Sequence, residues 1–297
     1  MRIPLPPVPL PEKVVGIARE YEDGTRTPVE PRDAATVILV APAQGPDAGP
    51  AVYYLRRQVS MDFAGGMVVY PGGGVDPRDF DAGVAWAGPT PAEWAERLGC
   101  EEDKARALVC AAVRETFEES GVLLAGPSDH EVVADTTGED WEADRVALET
   151  RELAMTDFLT RRGLVLRTDL LGVWDAWLTP VFEPKRFRTW FFVARLPEGQ
   201  VTRDVSTESS EVTWLPAGAA VEQAEAGTLA MMPPTYLTSM EVAEHADPDA
   251  VMAVAADRAV QMFTPSVEPL GEGHTLSMPE RLRPLAAARR ATVSDGD

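Results

Sequence analysis

Early in the chain, short runs of β-branched and aromatic residues between turn-forming residues predict β-strands. Two such runs, Ala35 to Val40 and Ala51 to Arg56, lie on either side of a loop rich in proline and glycine, which is typical of paired strands. A third run, Met67 to Tyr70, leads directly into Pro71 and three glycines. The chain must turn at these glycines, and its backbone can approach a ligand closely there because side chains are missing.

Two helices are predicted after these strands. Thr90 and Glu93 form a capping box with a proline at the first helical position, so a short helix begins there and ends near Gly99. A longer helix is predicted from about Glu101 to Ser120, because a glycine follows it directly.

The rest of the chain alternates between helical and strand-like patterns. The pattern at 137–162 indicates helix, strands are predicted at Leu170 to Thr179, Thr189 to Leu196 and Val212 to Leu215, and a helical tail with several prolines begins at about Ala219. Strands interleaved with helices predict a layered fold of the α/β class.

Charge and composition exclude several classes of protein. The net charge of −21 excludes binding to a polyanionic backbone by bulk attraction, so no nucleic acid is expected as a partner. With 45% hydrophobic residues the chain can form a substantial core, yet no apolar run approaches the length of a membrane span. Cys100 and Cys110 provide neither a disulfide framework nor a thiolate metal cluster, which indicates a reducing, cytoplasmic location.

An acidic cluster lies at the end of the longer predicted helix. Spacings of three and four residues place Glu115, Glu118 and Glu119 on one helical face. Like charges repel there, and the helix macrodipole disfavours anions in the last turns, so a cation is needed among them. A hard divalent ion such as Mg²⁺ fits, because it takes carboxylate oxygens and keeps waters for phosphate substrates. The alternative is a solvated acidic helix face.

The residues around this cluster resemble a known motif. Pro71-Gly72-Gly73, followed by Arg-Glu-Thr-Phe-Glu-Glu-Ser-Gly-Val at Arg114 to Val122, is similar to the Nudix box, G-x5-E-x7-R-E-U-x-E-E-x-G-U. The box belongs to hydrolases that cleave nucleoside diphosphates linked to another moiety. Thr116 replaces the usual aliphatic residue, and the stretch from Phe80 to Val113 replaces the short spacer, which puts Asp79 at the position of the upstream glutamate.

A box split by an insertion resembles one branch, the coenzyme A diphosphatases of the nucleoside diphosphate-linked moiety X motif 19 type. The segments Arg186 to Phe192 and Pro233 to Thr235 are also similar to that branch. A coenzyme A signature is met in part, by Arg57, Gly66 and the Pro-Gly-Gly turn, whereas Asp62 replaces its second arginine.

The resemblance implies a fold and a set of roles. The fold is a Nudix-type α/β/α sandwich with a mixed β-sheet, helical insertions and a helical C-terminal extension. Glu115, Glu118 and Glu119 would be ligands of Mg²⁺ or Mn²⁺, together with the carbonyl of Gly72, and Glu115 is also a candidate to orient the attacking water. Arg114 would hold a carboxylate of the helix in its ligating position.

Further roles are implied outside the helix. A more distant glutamate, Glu208 or Glu211, would supply another ligand or the general base; Glu211 is slightly favoured, and loop charges without a role are the alternative. Arg57, Gly72 and Gly73 are assigned to substrate binding. A basic cluster offers either phosphate contacts or a solvated hairpin, and it contains Lys185, Arg186 and Arg188.

The leading function implied by the resemblance is a diphosphatase dependent on Mg²⁺ or Mn²⁺. It would hydrolyse coenzyme A or acyl-coenzyme A to phosphopantetheine, acylated or free, and adenosine 3′,5′-bisphosphate. ADP-ribose, dinucleotides and nucleotide sugars are the other substrates, and a Nudix-fold binding or regulatory module without turnover is the alternative of another class. The expected partner is a small nucleotide-diphosphate substrate; no membrane is expected, and a homodimer is left open.

The length of 297 residues allows two domains or one domain with large insertions, because one domain averages roughly 150 residues. The split box favours the second, since its halves must meet in space. We predict a proline-rich arm without regular structure at 1–31, a Nudix domain at 32–227 and a helical C-terminal extension at 228–297. The insertions lie near 80–110 and 126–165.

Overall fold

A mixed β-sheet runs through the middle of the fold. The computed structural model describes residues 7–45, 49–60 and 64–294, and each run predicted as a strand overlaps a strand there. In chain order the strands are β1 (Arg32–Pro42), β2 (Pro50–Arg57), β3 (Val68–Val69), β4 (Gly72–Gly74), β5 (Trp86–Ala87), β6 (Ala125–Gly126), β7 (Val165–Arg167), β8 (Leu171–Leu178), β9 (Phe187–Arg195), β10 (Ser209–Pro216), β11 (Val267–Leu270) and β12 (Gly273–Leu276).

Helices cover both faces of this sheet. In chain order they are α1 (Glu12–Glu22), α2 (Pro91–Leu98), α3 (Glu102–Ser120), α4 (Glu139–Glu149), α5 (Met155–Arg162), α6 (Ala217–Glu225), α7 (Pro233–Val242), α8 (Pro248–Ala256) and α9 (Arg283–Ser294). None of the helices in the described ranges is both long and apolar enough to cross a membrane.

Strand β1 lies at the centre of the sheet and is buried on both faces. The strand order is β10-β2-β1-β9-β8; β1 runs parallel to β9 and antiparallel to β2, so the sheet is mixed. Val37 and Leu39 face one hydrophobic core, whereas Ile38 and Val40 face the other. Both faces of such a strand need apolar side chains. This explains why polar and apolar residues do not alternate along the run.

The two cores are closed by different helices. Leu108 and Phe117 of α3 pack in the core beneath Val37, together with α2. On the other face Val221, Met240 and Val251 come from α6, α7 and α8. The predicted α/β/α sandwich with a mixed β-sheet is therefore confirmed.

The helices predicted between the strands are found with small shifts in their ends. Helix α2 begins with the capping box of Thr90 and Glu93, and Gly99 ends it in the left-handed conformation at a φ of 64°. Helix α3 is continuous up to Gly121, and the predicted helical region at 137–162 contains α4 and α5. Strand β5, near the start of the first insertion, pairs in parallel with β7, at the end of the second insertion.

The two ends of the chain differ from the prediction. The arm contains a regular helix, α1, because Pro11 and Pro28 flank this segment instead of interrupting it. The tail is not helical throughout, since the antiparallel hairpin of β11 and β12 lies between α8 and α9. Each strand of that hairpin has four residues, too few to reveal an alternating pattern. The prediction for residues 1–6 of the arm lies outside the described residues, as does Asp62.

Candidate active site

The three glutamates at the end of α3 line one cleft beside the first residues of β1. Helix α3 packs on the sheet and is buried along most of its length, and Glu118 and Glu119 are buried with it, at 7% and 8% exposure. Gly121 ends the helix directly after them with a φ of 75°. The structure thus brings together the carboxylates that the helical spacing places on one face.

Arg114 is the centre of the hydrogen bonds between these carboxylates. Its Nε and Nη2 donate to the two oxygens of Asp79, each at 3.0 Å, and Nη2 also donates to the carbonyl of Gly74 at 3.1 Å. Its Nη1 donates to Glu115 Oε1 at 2.8 Å and to both oxygens of Glu118 at 3.2 Å. Since a guanidinium has five N–H donors, Arg114 is fully committed and fixes two carboxylates of the helix.

Asp79 lies against Arg114 in spite of the long insertion between them in sequence. It is 2% exposed and belongs to a 3-10 turn, Pro77–Phe80, which begins with a capping box. The N–H of Asp76 donates to Asp79 Oδ2 at 2.8 Å and so orients the carboxylate. The insertion therefore begins and ends at one point, and the two halves of the split motif are adjacent in space.

The glycine turn brings backbone to the same place. Strand β4 pairs with β1, and a Cβ on Gly72 would lie 2.5 Å from the carbonyl oxygen of Ala35, so only glycine fits. The Gly72 N–H donates to Glu119 Oε2 at 2.8 Å. A Cβ on Gly73 would lie 2.5 Å from Glu115 Oε1. The missing side chains thus create the space that the glutamates occupy.

Burial raises the pKa of each of the three glutamates. For Glu118 it raises the pKa to about 7, even though Arg114 acts in the opposite direction. Burial, followed by repulsion from Glu115, also holds the pKa of Glu119 well above its usual range, and burial raises that of Glu115. One arginine is therefore too little positive charge for the cluster, and a further cation would stabilise the ionised forms.

A second arginine lies at the end of the helix. Arg145 of α4 is 3% exposed, and its Nη1 donates to the carbonyl of Glu118 at 2.7 Å. Glu142 and Glu149 hold it at 2.7 and 3.0 Å. Because the C-terminus of a helix carries partial negative charge, this cation offsets the dipole at the acidic cluster. The second insertion thus supports the last turn of α3.

The cluster fits a hard divalent cation by its donors, although it is not arranged as a ligand set. As placed, no three His, Cys, Asp or Glu side chains in the described ranges are disposed to hold a metal ion, since Glu115 and Glu118 turn toward Arg114. Glu115 Oε2 and Glu119 Oε1 accept no hydrogen bond from the described residues. Carboxylate oxygens are ligands that Mg²⁺ prefers. The metal roles of these glutamates and of the Gly72 carbonyl stay predictions.

Of the two candidate glutamates beyond the helix, Glu208 lines the cleft and Glu211 does not. Glu208 Oε2 lies 3.4 Å from Nη2 of Arg57, which also lines the cleft. Glu211 instead accepts from Arg56 Nε at 2.9 Å and is its partner across β10 and β2. Adjacent residues of a strand point to opposite faces, so Arg56 and Glu211 face away from the side of Arg57. The structure therefore places Glu208 on the cleft instead of the slightly favoured Glu211, and the role of either glutamate stays a prediction.

The basic cluster near β9 serves the fold and does not line the cleft. Arg186 donates to the carbonyls of Thr179 and Val29 at 3.1 and 2.9 Å. Arg188 binds Asp33 at 2.6 Å. Both arginines therefore tie the start of β9 to the start of β1 and to the segment before it, and the proposed phosphate contacts are not supported for them.

The cleft has a polar end and an apolar wall, and encloses about 670 Å³. The polar end holds the glutamates and arginines described above. The apolar wall comes from β8, β9 and α7 and from both ends of the chain, and includes Leu10, Trp177, Phe191, Met232, Leu276 and Met278. The N–H of Val8 donates to Thr275 Oγ1 at 3.0 Å, which fixes the arm against the β11–β12 hairpin.

Apart from the strand that carries Trp177 and the segment Pro233 to Thr235, sequence reasoning missed this wall. It also missed Arg151, which lines the cleft from the loop after α4. The arm offered only single apolar residues between prolines, and Arg151 lies in no recognisable pattern. Only the folded structure shows that the arm and Arg151 lie beside the glutamates.

Comparison with known proteins gives matches to Nudix hydrolases. A family model described as the NUDT19 Nudix domain matches residues 95–241. A putative nudix hydrolase 7 of Caenorhabditis elegans is 28% identical over 208 residues, which cover 68% of this chain and 57% of that protein. The acyl-coenzyme A diphosphatase NUDT19 of Gallus gallus is 25% identical over 275 residues, covering 77% of this chain and 72% of that protein. The chain thus spans little more than half of the nematode relative.

A solved structure gives the same result for the fold. The crystal structure of a NUDIX hydrolase from Alicyclobacillus acidocaldarius superposes with a TM-score of 0.63 at 26% sequence identity. The match covers 76% of this chain and 96% of that one. Almost the whole of that protein is therefore represented here, and about a quarter of this chain lies outside it.

Proposed function

This chain belongs to the Nudix hydrolase superfamily and is similar to its NUDT19-like branch, and we propose on that basis that it is a diphosphatase dependent on Mg²⁺ or Mn²⁺. Its proposed substrate is coenzyme A or an acyl-coenzyme A. The observation that carries the proposal is the meeting of Glu115, Glu118 and Glu119 with Arg114 and the Gly72 turn in one cleft.

The proposed reaction is hydrolysis of a phosphoanhydride. A water oxygen attacks one phosphorus, the bond from that phosphorus to the bridging oxygen breaks, and the departing phosphate takes the electron pair. A bound divalent cation would supply charge neutralisation on the diphosphate and make water more acidic. Glu115, Glu118 and Glu119 would hold that cation, and Arg114 and the Gly72 N–H keep their carboxylates in place.

Glu208 is proposed to accept the proton of the attacking water. Its carboxylate is on the cleft, more than half exposed, and paired only with Arg57 at 3.4 Å among the described residues. An exposed carboxylate with a long ion pair keeps an oxygen available for a proton. Arg57 would in turn contact a phosphate of the substrate, because its fork matches phosphate oxygens.

The apolar wall favours coenzyme A derivatives over ADP-ribose. A substrate bound with its diphosphate at the glutamates extends its two halves along the cleft in opposite directions. Trp177, Phe191 and Met278 offer contact to an apolar chain rather than hydrogen bonds to a second sugar. An acyl-pantetheine chain fits such a wall better than a ribose does.

The proposal is tested with purified protein and a panel of substrates. We expect hydrolysis of coenzyme A or acyl-coenzyme A with Mg²⁺ or Mn²⁺, loss of hydrolysis on chelation and recovery on return of the metal. ADP-ribose, NADH, diadenosine polyphosphates and nucleoside triphosphates complete the panel, with products separated by chromatography. Preference for ADP-ribose would contradict the choice of substrate, and no hydrolysis of any substrate would leave a non-catalytic Nudix-fold module.

A matched pair of variants tests the general base. Glu208→Gln is expected to lower kcat by about 10²-fold or more, because a general base contributes on the order of 10²–10⁴ in rate. Glu211→Gln is expected to leave kcat within about twofold, since its exposed ion pair with Arg56 contributes little. Steady-state kinetics on the substrate cleaved by the unaltered protein decide the matter. Equal losses in both variants would contradict the assignment.

A further inference from the structure

One of the arginines on the cleft is largely uncommitted. Among the described residues that line it, the cationic side chains are Arg57, Arg114 and Arg151. Arg114 is fully bonded, and Arg57 faces Glu208. The Arg151 side chain is 77% exposed, and its one recorded ion pair joins Nε to Asp76 Oδ2 over 3.7 Å. That distance exceeds a hydrogen bond, so the guanidinium is available to another anion.

The backbone of Arg151 is in a conformation that suits glycine better. Its φ is 62°, in the left-handed region, at the end of α4 where a glycine commonly stands. The loop is nevertheless well held: the Arg151 N–H donates to the carbonyl of Leu148 at 2.9 Å, and Arg78 Nη1 donates to the Arg151 carbonyl at 2.9 Å. These hydrogen bonds thus fix the backbone at Arg151, whereas the Arg151 side chain contributes little to the stability of the fold.

The negative charge of the cleft explains why an arginine would be useful at position 151. Carboxylates at the polar end, including Glu118, Glu149 and Glu208, repel an anionic substrate. Besides Arg57, which lies 3.4 Å from Glu208, a phosphate approaching them gains from a further cation that is not already neutralised. An exposed guanidinium on a fixed backbone provides one, and its planar fork matches two phosphate oxygens.

We propose that Arg151 is a phosphate-binding residue of the substrate site. The inference rests on the proposed function, because it requires a substrate that carries phosphate into this cleft. The phosphate can belong to the diphosphate that is cleaved or to a further phosphate on the nucleoside half. Both have the same chemistry, and the substrates of the test distinguish them.

The test compares Arg151→Gly with the unaltered protein. The variant is expected to raise KM about tenfold with kcat within about twofold, since a charge-assisted hydrogen bond is lost from binding. Its Tm is expected to stay equal or rise, because glycine adopts this φ freely. Arg151→Lys, which keeps the charge without the fork, is expected to lie between the two. Arg26→Ala, which removes an exposed cation outside the cleft, is the control for net charge.

The substrates locate the phosphate. A higher KM for coenzyme A but not for its form without the 3′-phosphate supports contact with that phosphate, and equal increases support contact with the diphosphate. An unchanged KM for every substrate, or a lowered Tm with a lowered kcat, would overturn the proposal.

Failure of the proposed function is distinguished by a binding measurement. If the unaltered protein cleaves none of the substrates, calorimetric titration with coenzyme A in the presence of Mg²⁺ replaces KM. About tenfold weaker binding by Arg151→Gly than by the unaltered protein would then support the phosphate contact. Equal binding by the two proteins, or no binding by either, would overturn it.

Discussion

Replacing Glu118 by glutamine is expected to lower kcat of the metal-dependent hydrolysis by about 10²–10³-fold while the fold stays intact. The amide keeps the size of the side chain but removes the negative charge that a carboxylate offers to a divalent cation. Burial raises the pKa of Glu118 to about 7, so its ionised form is disfavoured in the folded protein. A neutral amide relieves that cost, and Tm is therefore expected to be unchanged or higher.

The control lies on the same helix. Glu102→Gln makes the same substitution in the first turn of α3, where the side chain is 55% exposed and distant from the cleft, and is expected to leave kcat unchanged. Steady-state kinetics with varied Mg²⁺ and thermal unfolding of both variants give the comparison. Undiminished kcat in Glu118→Gln would remove Glu118 from the metal site, and a fall in Tm would mean that the charge stabilises the fold.

The carboxylate cluster was predictable because its residues are close in sequence. Within one helix, spacing alone decides which side chains share a face, so Glu115, Glu118 and Glu119 needed no knowledge of the tertiary structure. The turn at Gly72 was also predictable, since a run of glycines has few other uses. Both features depend on local geometry, which sequence specifies directly.

The placement of Glu208 and Glu211 was not predictable in the same way. Both lie just before or in β10, and the face that each presents depends on the register with β2. That register shifts between Ser209 and Glu211, and a shift of one residue exchanges the two faces of a strand. Sequence gives no sign of an irregularity that arises from pairing. Which of the two glutamates lines the cleft therefore depends on tertiary pairing, which the sequence does not show.

The wall of the cleft depends on contacts still further apart. The arm reaches the β11–β12 hairpin through the bond from Leu10 N–H to the carbonyl of His274 at 2.7 Å, across almost the whole chain. Neither segment has a strong pattern of its own, and only the fold brings the two into contact. Contacts between segments so far apart in the chain depend on the whole fold. The sequence therefore shows each segment but not that the two form one wall.

Replacing Asp79 by alanine is expected to lower the free energy of unfolding by about 3–5 kcal/mol, because it leaves a buried guanidinium without its main partner. Asp79 and Arg114 are 2% and 8% exposed and share two hydrogen bonds of 3.0 Å. Chemical denaturation measures the change. Asp103→Ala is the matched control, since that carboxylate is 86% exposed and 4.0 Å from Arg106, and it is expected to cost less than about 1 kcal/mol.

A double-mutant cycle separates this ion pair from the surrounding packing. Arg114→Met alone leaves Asp79, Glu115 and Glu118 without their common partner, and Asp79→Ala alone leaves Nε and one N–H of Nη2 of Arg114 without an acceptor. If the pair acts as a unit, the double variant is less destabilised than the sum of the single ones, by about 1–3 kcal/mol. Additive losses would instead mean that the two residues stabilise the fold independently, and the closure of the insertion on α3 would then rest on its apolar contacts alone.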